Sequence, residues 1–253
     1  MISLEQYFNN NTGRLIHKYQ HYFDIYERHF QKYRNKKVVI LEIGIFQGGS
    51  LQMWKKYFGN KAVIYGIDIN PKCKAFEEKN INIFIGSQSD RKFLRYVKRQ
   101  IPKVDILIDD GGHFMKQQII TFEEMYDHVN EDGIYLAEDL HTSYWLRYGG
   151  GNRRMGTFIE YSKKLIDSLN AYHSEQRSLK VSEFTKSTYA LHYYDSMLVV
   201  EKTPRKPPVD SSTGNLSYPV ETAPRHFSYV VRIGLLHVVD FVLRLFRLPG
   251  LMR

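Results

Sequence analysis

Five short apolar runs stand out in the first half of the chain: VVILEIGI (38–45), VIYGIDI (63–69), INIFIG (81–86), VDILIDD (104–110) and GIYLAED (133–139). Their hydrophobicity is continuous rather than alternating, which is the pattern of strands buried on both faces in a parallel sheet. Between them lie segments whose apolar spacing suits helices, at 49–57, 72–79, 89–100 and 116–128, with a further one at 156–171. Strand and helix in alternation predict an α/β fold with helices on both faces of the sheet. TYALHYYDSMLVVEK (188–202) then reads as two strands around a tight Asp195-Ser196 turn, an antiparallel edge on that sheet.

The two ends of the chain have other patterns. Residues 14–35 carry Leu15, Tyr19, Tyr22, Tyr26, Phe30 and Tyr33 at intervals of three and four, which predicts a helix with one aromatic face. That face either docks on the main domain or contributes tyrosines to a cleft. Residues 203–225 hold five of the eight prolines, with Ser, Thr and Gly, and read as a linker. Beyond it, 226–248 has a helical spacing in which His237, Asp240, Arg244 and Arg247 share one arc and the rest is Val, Leu, Phe and Ile. Such an amphipathic helix must bury its apolar surface, against its own domain, a second subunit or a membrane interface. The expected organisation is a helical segment (1–35), a core domain (36–202), the linker and the C-terminal helix. No internal repeat is visible.

Composition changes this picture little. At 253 residues with 43% hydrophobic and 25% charged side chains, the chain is an ordinary globular one. The net charge of +9 admits nucleic acid or an anionic surface. However, the densest basic stretch, RKFLRYVKRQ (91–100), is simply the solvated face of a predicted helix. A single cysteine, Cys73, rules out an intrachain disulfide and a cysteine-based zinc site, and fits a reducing, cytoplasmic setting. MISLEQYFNN lacks the basic and apolar regions of a signal peptide, and no run of about 18 apolar residues occurs.

In open parallel sheets ligands bind beyond the carboxyl ends of the strands, so those residues carry the chemistry. The first strand ends LEIGIFQGGS. Glu42 is an acid in an apolar strand, costly unless paired, and Gly44 and Gly48 allow a ligand close to the backbone before the next helix. The second ends at Asp68, which can accept both ribose hydroxyls or cap a helix. The third ends IGSQSD, where Ser87 and Gln88 offer groups for an adenine edge. The fourth ends in Asp109 and Asp110, with His113 three residues on, and the fifth in Glu138 and Asp139. One acidic pair at a strand end can be a cap. Two at neighbouring strand ends bring Asp110, Glu138 and Asp139 together as hard oxygen ligands suited to Mg²⁺ or a similar cation.

Glycines after strand one, an acid after strand two and polar groups after strand three resemble a class I S-adenosylmethionine (SAM) methyltransferase. A nicotinamide-binding Rossmann domain is disfavoured by the missing third glycine and by Glu42. DDGGH (109–113) followed by EDLHTSYW (138–145), with 138 − 110 = 28 residues between the acids, is similar to the metal-dependent sugar O-methyltransferases of the mycinamicin and macrocin type and the related cephalosporin-hydroxylase-like proteins. The likeness covers residues 14–202, and TFIEYSKKLIDSLNAYH (157–173) and HYYDSMLVVEK (192–202) fit it too. Gly112 departs from it, standing where the family often has serine, and the C-terminal segment has no counterpart.

The resemblance implies a Rossmann-like fold with a mostly parallel seven-stranded sheet and an antiparallel C-terminal edge. It assigns Asp110, Glu138 and Asp139 to the metal and His113 to the general base, with His141 the alternative. Asp109 would face the sulfonium end of SAM, and Glu42, Gly44, Gly48, Asp68, Ser87 and Gln88 would form the cofactor pocket. The implied reaction is methyl transfer to a sugar hydroxyl of a glycan or glycosylated metabolite. The competing readings are a metal-independent small-molecule or RNA methyltransferase, and a non-catalytic membrane-associated scaffold.

Overall fold

The computed structural model describes residues 2–219 and 227–246, which fall into two units, Met1–Pro208 and Val209–Arg253. In the first, α1 (Leu4–Asn9) and α2 (Tyr22–Phe30) precede the sheet. The core then alternates β1 (Val39–Ile43), α3 (Gly49–Phe58), β2 (Val63–Asp68), β3 (Ile81–Ile85), α4 (Arg91–Gln100), β4 (Val104–Asp109), α5 (Met115–Met125), β5 (Val129–Ala137) and α6 (Phe158–Leu169). A short α7 (Glu183–Ser187) leads into the hairpin β6 (Thr188–Tyr194) and β7 (Met197–Lys202).

The seven strands lie in the order β3-β2-β1-β4-β5-β7-β6. The first five are mutually parallel, and β7 runs antiparallel to both β5 and β6. This is the expected mostly parallel sheet with an antiparallel edge, turned at Asp195-Ser196, where Ser196 takes φ 62°. Successive side chains alternate between two buried layers. Ile40, Ile64, Ile106, Ile108, Ile134 and Val199 face the N-terminal segment and α3. Leu41, Ile43, Ile67, Leu107, Tyr135 and Val200 face α4, α5 and α6. Continuous hydrophobicity along the strands is the consequence of covering both faces.

Helix starts follow local chemistry. Asp90 accepts hydrogen bonds from the backbone N–H groups of Lys92 and Phe93 at the start of α4, and Thr157 from that of Glu160 at the start of α6. The segment predicted as helix over 72–79 is only a 3-10 turn, Pro71–Phe76, because β3 must begin at Ile81. Likewise, α5 stops at Met125 and tightens through Tyr126–His128 before β5, which starts four residues earlier than the sequence suggests.

The N-terminal helix differs most from expectation. Tyr22, Tyr26, Phe30 and Tyr33 are buried as the aromatic stripe predicts, with Tyr26 stacked on Phe30 at 5.6 Å and edge-on to Trp54 at 5.2 Å. Residues 14–19, however, are not helical, and Leu15 and Tyr19 are exposed. Ile16 is buried instead, and Lys18 turns inward to Asp110 and Glu138.

In the second unit α8 spans Phe227–Leu245, within the predicted C-terminal helix. Leu235, Val238 and Phe241 are exposed on it. Residues 220–225 of the expected linker, and 226, 247 and 248 of the expected helix, lie outside the described residues. Among the described residues no helix is long and apolar enough to cross a membrane.

Candidate active site

The strand register sets the site. Ile43, Asp109 and Ala137 are neighbours across β1, β4 and β5. One residue further, the Asp110 N–H donates to the Ile43 carbonyl at 2.9 Å and the Glu138 N–H to that of Asp109 at 2.9 Å. Gly44, Asp110 and Glu138 therefore leave the sheet side by side at one height. Above them opens a cavity of about 610 Å³, a size ordinary for small-molecule sites.

Of the residues expected to bind cofactor, Gly44, Asp68, Ser87 and Gln88 line the cavity. Gly44 takes φ 88°, and a Cβ there would lie 2.1 Å from the Asp110 carbonyl oxygen, so only glycine lets the two loops meet. Asp68 accepts from the N–H groups of Ile45 and Phe46, both at 3.0 Å, and of Asn70 at 2.8 Å. It thereby clamps the loop after β1 while its carboxylate faces the cavity.

Glu42, Gly48 and Asp109 stand one layer behind. Glu42 is fully buried, accepting from Ser50 Oγ at 2.9 Å and Trp54 Nε1 at 3.0 Å, which ties β1 to α3. Burial pushes its pKa up to about 7. Gly48 is the N-cap of α3. Asp109, also fully buried, accepts from Gln88 Nε2 at 2.9 Å and Tyr135 OH at 3.3 Å, and burial raises it to about 7. Gln88 in turn accepts the Gly112 N–H at 2.8 Å. These residues hold the DDGG loop in place from beneath.

The expected metal ligands do converge, and each has a partner from the N-terminal segment. Glu138 accepts from Tyr26 OH at 2.6 Å, and Asp139 from Tyr22 OH at 2.7 Å. Lys18 Nζ lies between Asp110 Oδ2, at 2.5 Å, and Glu138 Oε2, at 2.8 Å. Burial alone would lower the lysine's pKa, but Asp110, Glu138 and Glu42 outweigh it and hold the ammonium protonated. Burial pushes Asp110 up to about 7 and Glu138 to about 8, with Lys18 opposing both shifts.

His113 completes the group. Its Nε2 lies 3.3 Å from Asp139 Oδ2 and 3.9 Å from Asp110 Oδ1, and ligand atoms of these three residues all fall within 4.8 Å of one another. Burial lowers its pKa, which favours the neutral ring. Its backbone is left-handed, φ 56°, as is that of Asp139, also φ 56°. His141, the alternative base, bonds Ser196 Oγ through Nδ1 at 2.5 Å and does not line the cavity.

Asp110 and Glu138 place hard carboxylate oxygens around the position the Lys18 ammonium takes, a donor set that suits a divalent ion. Lys18 itself carries no sequence signal beyond its place at the edge of the aromatic stripe, between Leu15 and Tyr22. The tyrosines were visible as a stripe, and two of them serve both as core and as partners of the acids.

This fold and strand-end chemistry define a class I methyltransferase domain. No protein-family model matches the chain. Demethylmacrocin O-methyltransferase of Streptomyces fradiae is 36% identical over 188 residues, 70% of this chain and 47% of that protein. Mycinamicin VI 2''-O-methyltransferase of Micromonospora griseorubida is 36% identical over 190 residues, again 70% and 47%. The crystallised MycE methyltransferase of the mycinamycin pathway, in complex with Mg, SAH and mycinamycin VI, superposes with a TM-score of 0.70 at 30% identity, covering 91% of this chain and 58% of that one. Within the class, the chain is similar to the macrocin and mycinamicin sugar O-methyltransferases. It spans about half the length of the curated relatives it matches.

Proposed function

We propose that this protein is a SAM-dependent O-methyltransferase that methylates a sugar hydroxyl of a glycan or glycosylated metabolite, with a divalent cation, Mg²⁺, at Asp110, Glu138 and Asp139. The observation that carries this reading is the pair Asp110 and Glu138 around one buried cationic position, with Asp139 and His113 grouped beside Asp110. Sequence similarity supports it, since the relatives are named for methylation of macrolide and polyketide sugars.

Gly44, Asp68, Ser87 and Gln88 would bind SAM, with Glu42, Gly48 and Asp109 fixing the loops that do so. Asp110, Glu138 and Asp139 would hold a divalent ion, which would supply the acidity a sugar hydroxyl needs. His113, whose Nε2 lies on the Asp139 side, would take the hydroxyl proton on a ring-nitrogen lone pair as the methyl group leaves sulfur for oxygen. The lowered pKa of His113 keeps that lone pair free at neutral pH. Tyr22 and Tyr26 hold Asp139 and Glu138 against rotation, so the geometry is present before substrate arrives.

In this reading the enzyme works in the cytoplasm, and the exposed apolar face of α8 is the part that would touch a membrane surface or another subunit. The test is transfer of labelled methyl from SAM to sugar-bearing macrolides and other glycosides. Transfer is lost in EDTA and restored by Mg²⁺; full activity in chelator refutes the metal. His113→Ala keeps SAH affinity in calorimetry and loses turnover, whereas collapse of SAH binding would make His113 structural.

A further inference from the structure

Lys18 is the one cation buried among the acids, its side chain only 2% exposed, and it reaches them from an unusual element. The strap 14–19 is neither helix nor strand, and Leu15 to Tyr19 form part of the cavity wall. The carbonyls of Arg14 and Leu15 sit directly on Gly49, where a Cβ would come within 2.5 and 2.3 Å of them. Yet among the described residues the backbone of 15–18 makes no hydrogen bond. Side chains hold the strap: Ile16 in the core, Arg14 over the Phe76 ring at 4.6 Å, and Lys18 on Asp110 and Glu138. With no backbone ladder, the strap is held by side chains alone, and Lys18 is its link to the acids.

We propose that Lys18 is a tethered place-holder cation, which occupies the metal position between Asp110 and Glu138 and must leave, taking the strap with it, when a divalent ion binds. This inference rests on the metal-dependent reading above. Its physical basis is exclusion. An ion bridging those carboxylates at the usual metal–oxygen distance of about 2.1 Å would stand where the ammonium now stands. Two cations cannot share that point, and an ammonium offers a metal no lone pair. Without either cation, two buried carboxylates from neighbouring strand ends would face each other uncompensated, a costly arrangement. Lys18 thus keeps the acids in place in the metal-free protein, and loading the metal frees the cavity wall. Metal uptake and opening of the cavity mouth become one event.

The test uses the full chain and Mn²⁺ as probe, with binding followed by electron paramagnetic resonance. Lys18→Met removes the competing charge and should raise Mn²⁺ affinity about tenfold or more, since the wild-type equilibrium includes displacement of the strap. A merely structural lysine would give unchanged or weaker affinity. Lys18→Gln repeats the measurement should the methionine variant fold poorly. In wild type, Mn²⁺ or Mg²⁺ should render Lys18 reactive to an amine-acylating reagent, read by mass spectrometry. Equal affinities with Lys18 still unreactive in the metal-bound protein would overturn the inference and leave the metal site standing. No Mn²⁺ binding by wild type or either variant would overturn both.

Discussion

Replacing Gly44 with alanine separates two costs that glycine avoids here. Gly44 takes φ 88°, and its missing Cβ would stand 2.1 Å from the Asp110 carbonyl oxygen and 2.6 Å from Gly111 Cα. A left-handed alanine costs about 1–2 kcal/mol in backbone strain. Relieving the overlap requires the Asp110 backbone to retreat by roughly an ångström, and overpacking of this kind adds about 1–3 kcal/mol. The expected loss is therefore about 2–5 kcal/mol, severe against a typical total of about 5–15 kcal/mol. Gly156 is the control, because it also takes φ 88° and a Cβ there would meet nothing within 4 Å. Gly156→Ala should lose the strain alone. Urea denaturation of wild type and both variants yields the two values, and SAH calorimetry adds a second readout. Gly44→Ala should weaken SAH binding because the loop carrying Asp110 moves, whereas Gly156→Ala should not. Equal destabilisation by the two substitutions would refute the close approach of the loops as the reason for glycine at position 44.

Tyr26→Phe removes the hydroxyl that donates to buried Glu138 and should cost about 1.5–3 kcal/mol in urea denaturation, more than Tyr33→Phe, whose hydroxyl bonds the backbone of exposed Asp132. Asp68→Asn should weaken SAH binding about tenfold or more in calorimetry, since a charged acceptor facing the cavity is lost; unchanged affinity would remove Asp68 from the cofactor pocket. The Arg95 and Arg91 guanidiniums hold the Glu124 carboxyl down to about 2. The unfolded chain therefore binds the extra proton as pH falls from the ordinary carboxylate range toward 2, and the stability contributed above that window is lost through it. With both arginines partly solvated the contribution is about 1 kcal/mol, and the difference in acid denaturation between wild type and Glu124→Gln measures it.

The sheet was legible because burial on both faces makes its strands apolar runs, with Glu42 a buried exception inside β1. The acids at 109, 110, 138 and 139 are visible for the same reason: nothing in a buried strand calls for them. Order within each pair is harder to read. Asp109 is the last residue of β4 and points into the packed layer beneath Gln88, while Asp110, one residue on, has left the pleat and faces the cavity. The strap was illegible. Its aromatic spacing continues that of α2 in phase, and no Ser, Thr, Asp or Asn between Arg14 and His21 marks a helix start. What keeps residues 14–19 out of a helix is tertiary: Lys18 finds partners 92 and 120 positions away and Ile16 joins the core, and periodicity carries no trace of that.

The left-handed backbones of His113 and Asp139 have a consequence for this protein's relatives. Each is a non-glycine residue in a conformation that glycine adopts freely, so each position would fold more comfortably without its reactive side chain. In the proposed reading, glycine at either place would relieve that backbone while removing the base or one of the acids. A relative with glycine at 113 or 139 would then keep the sheet and lose the proposed chemistry.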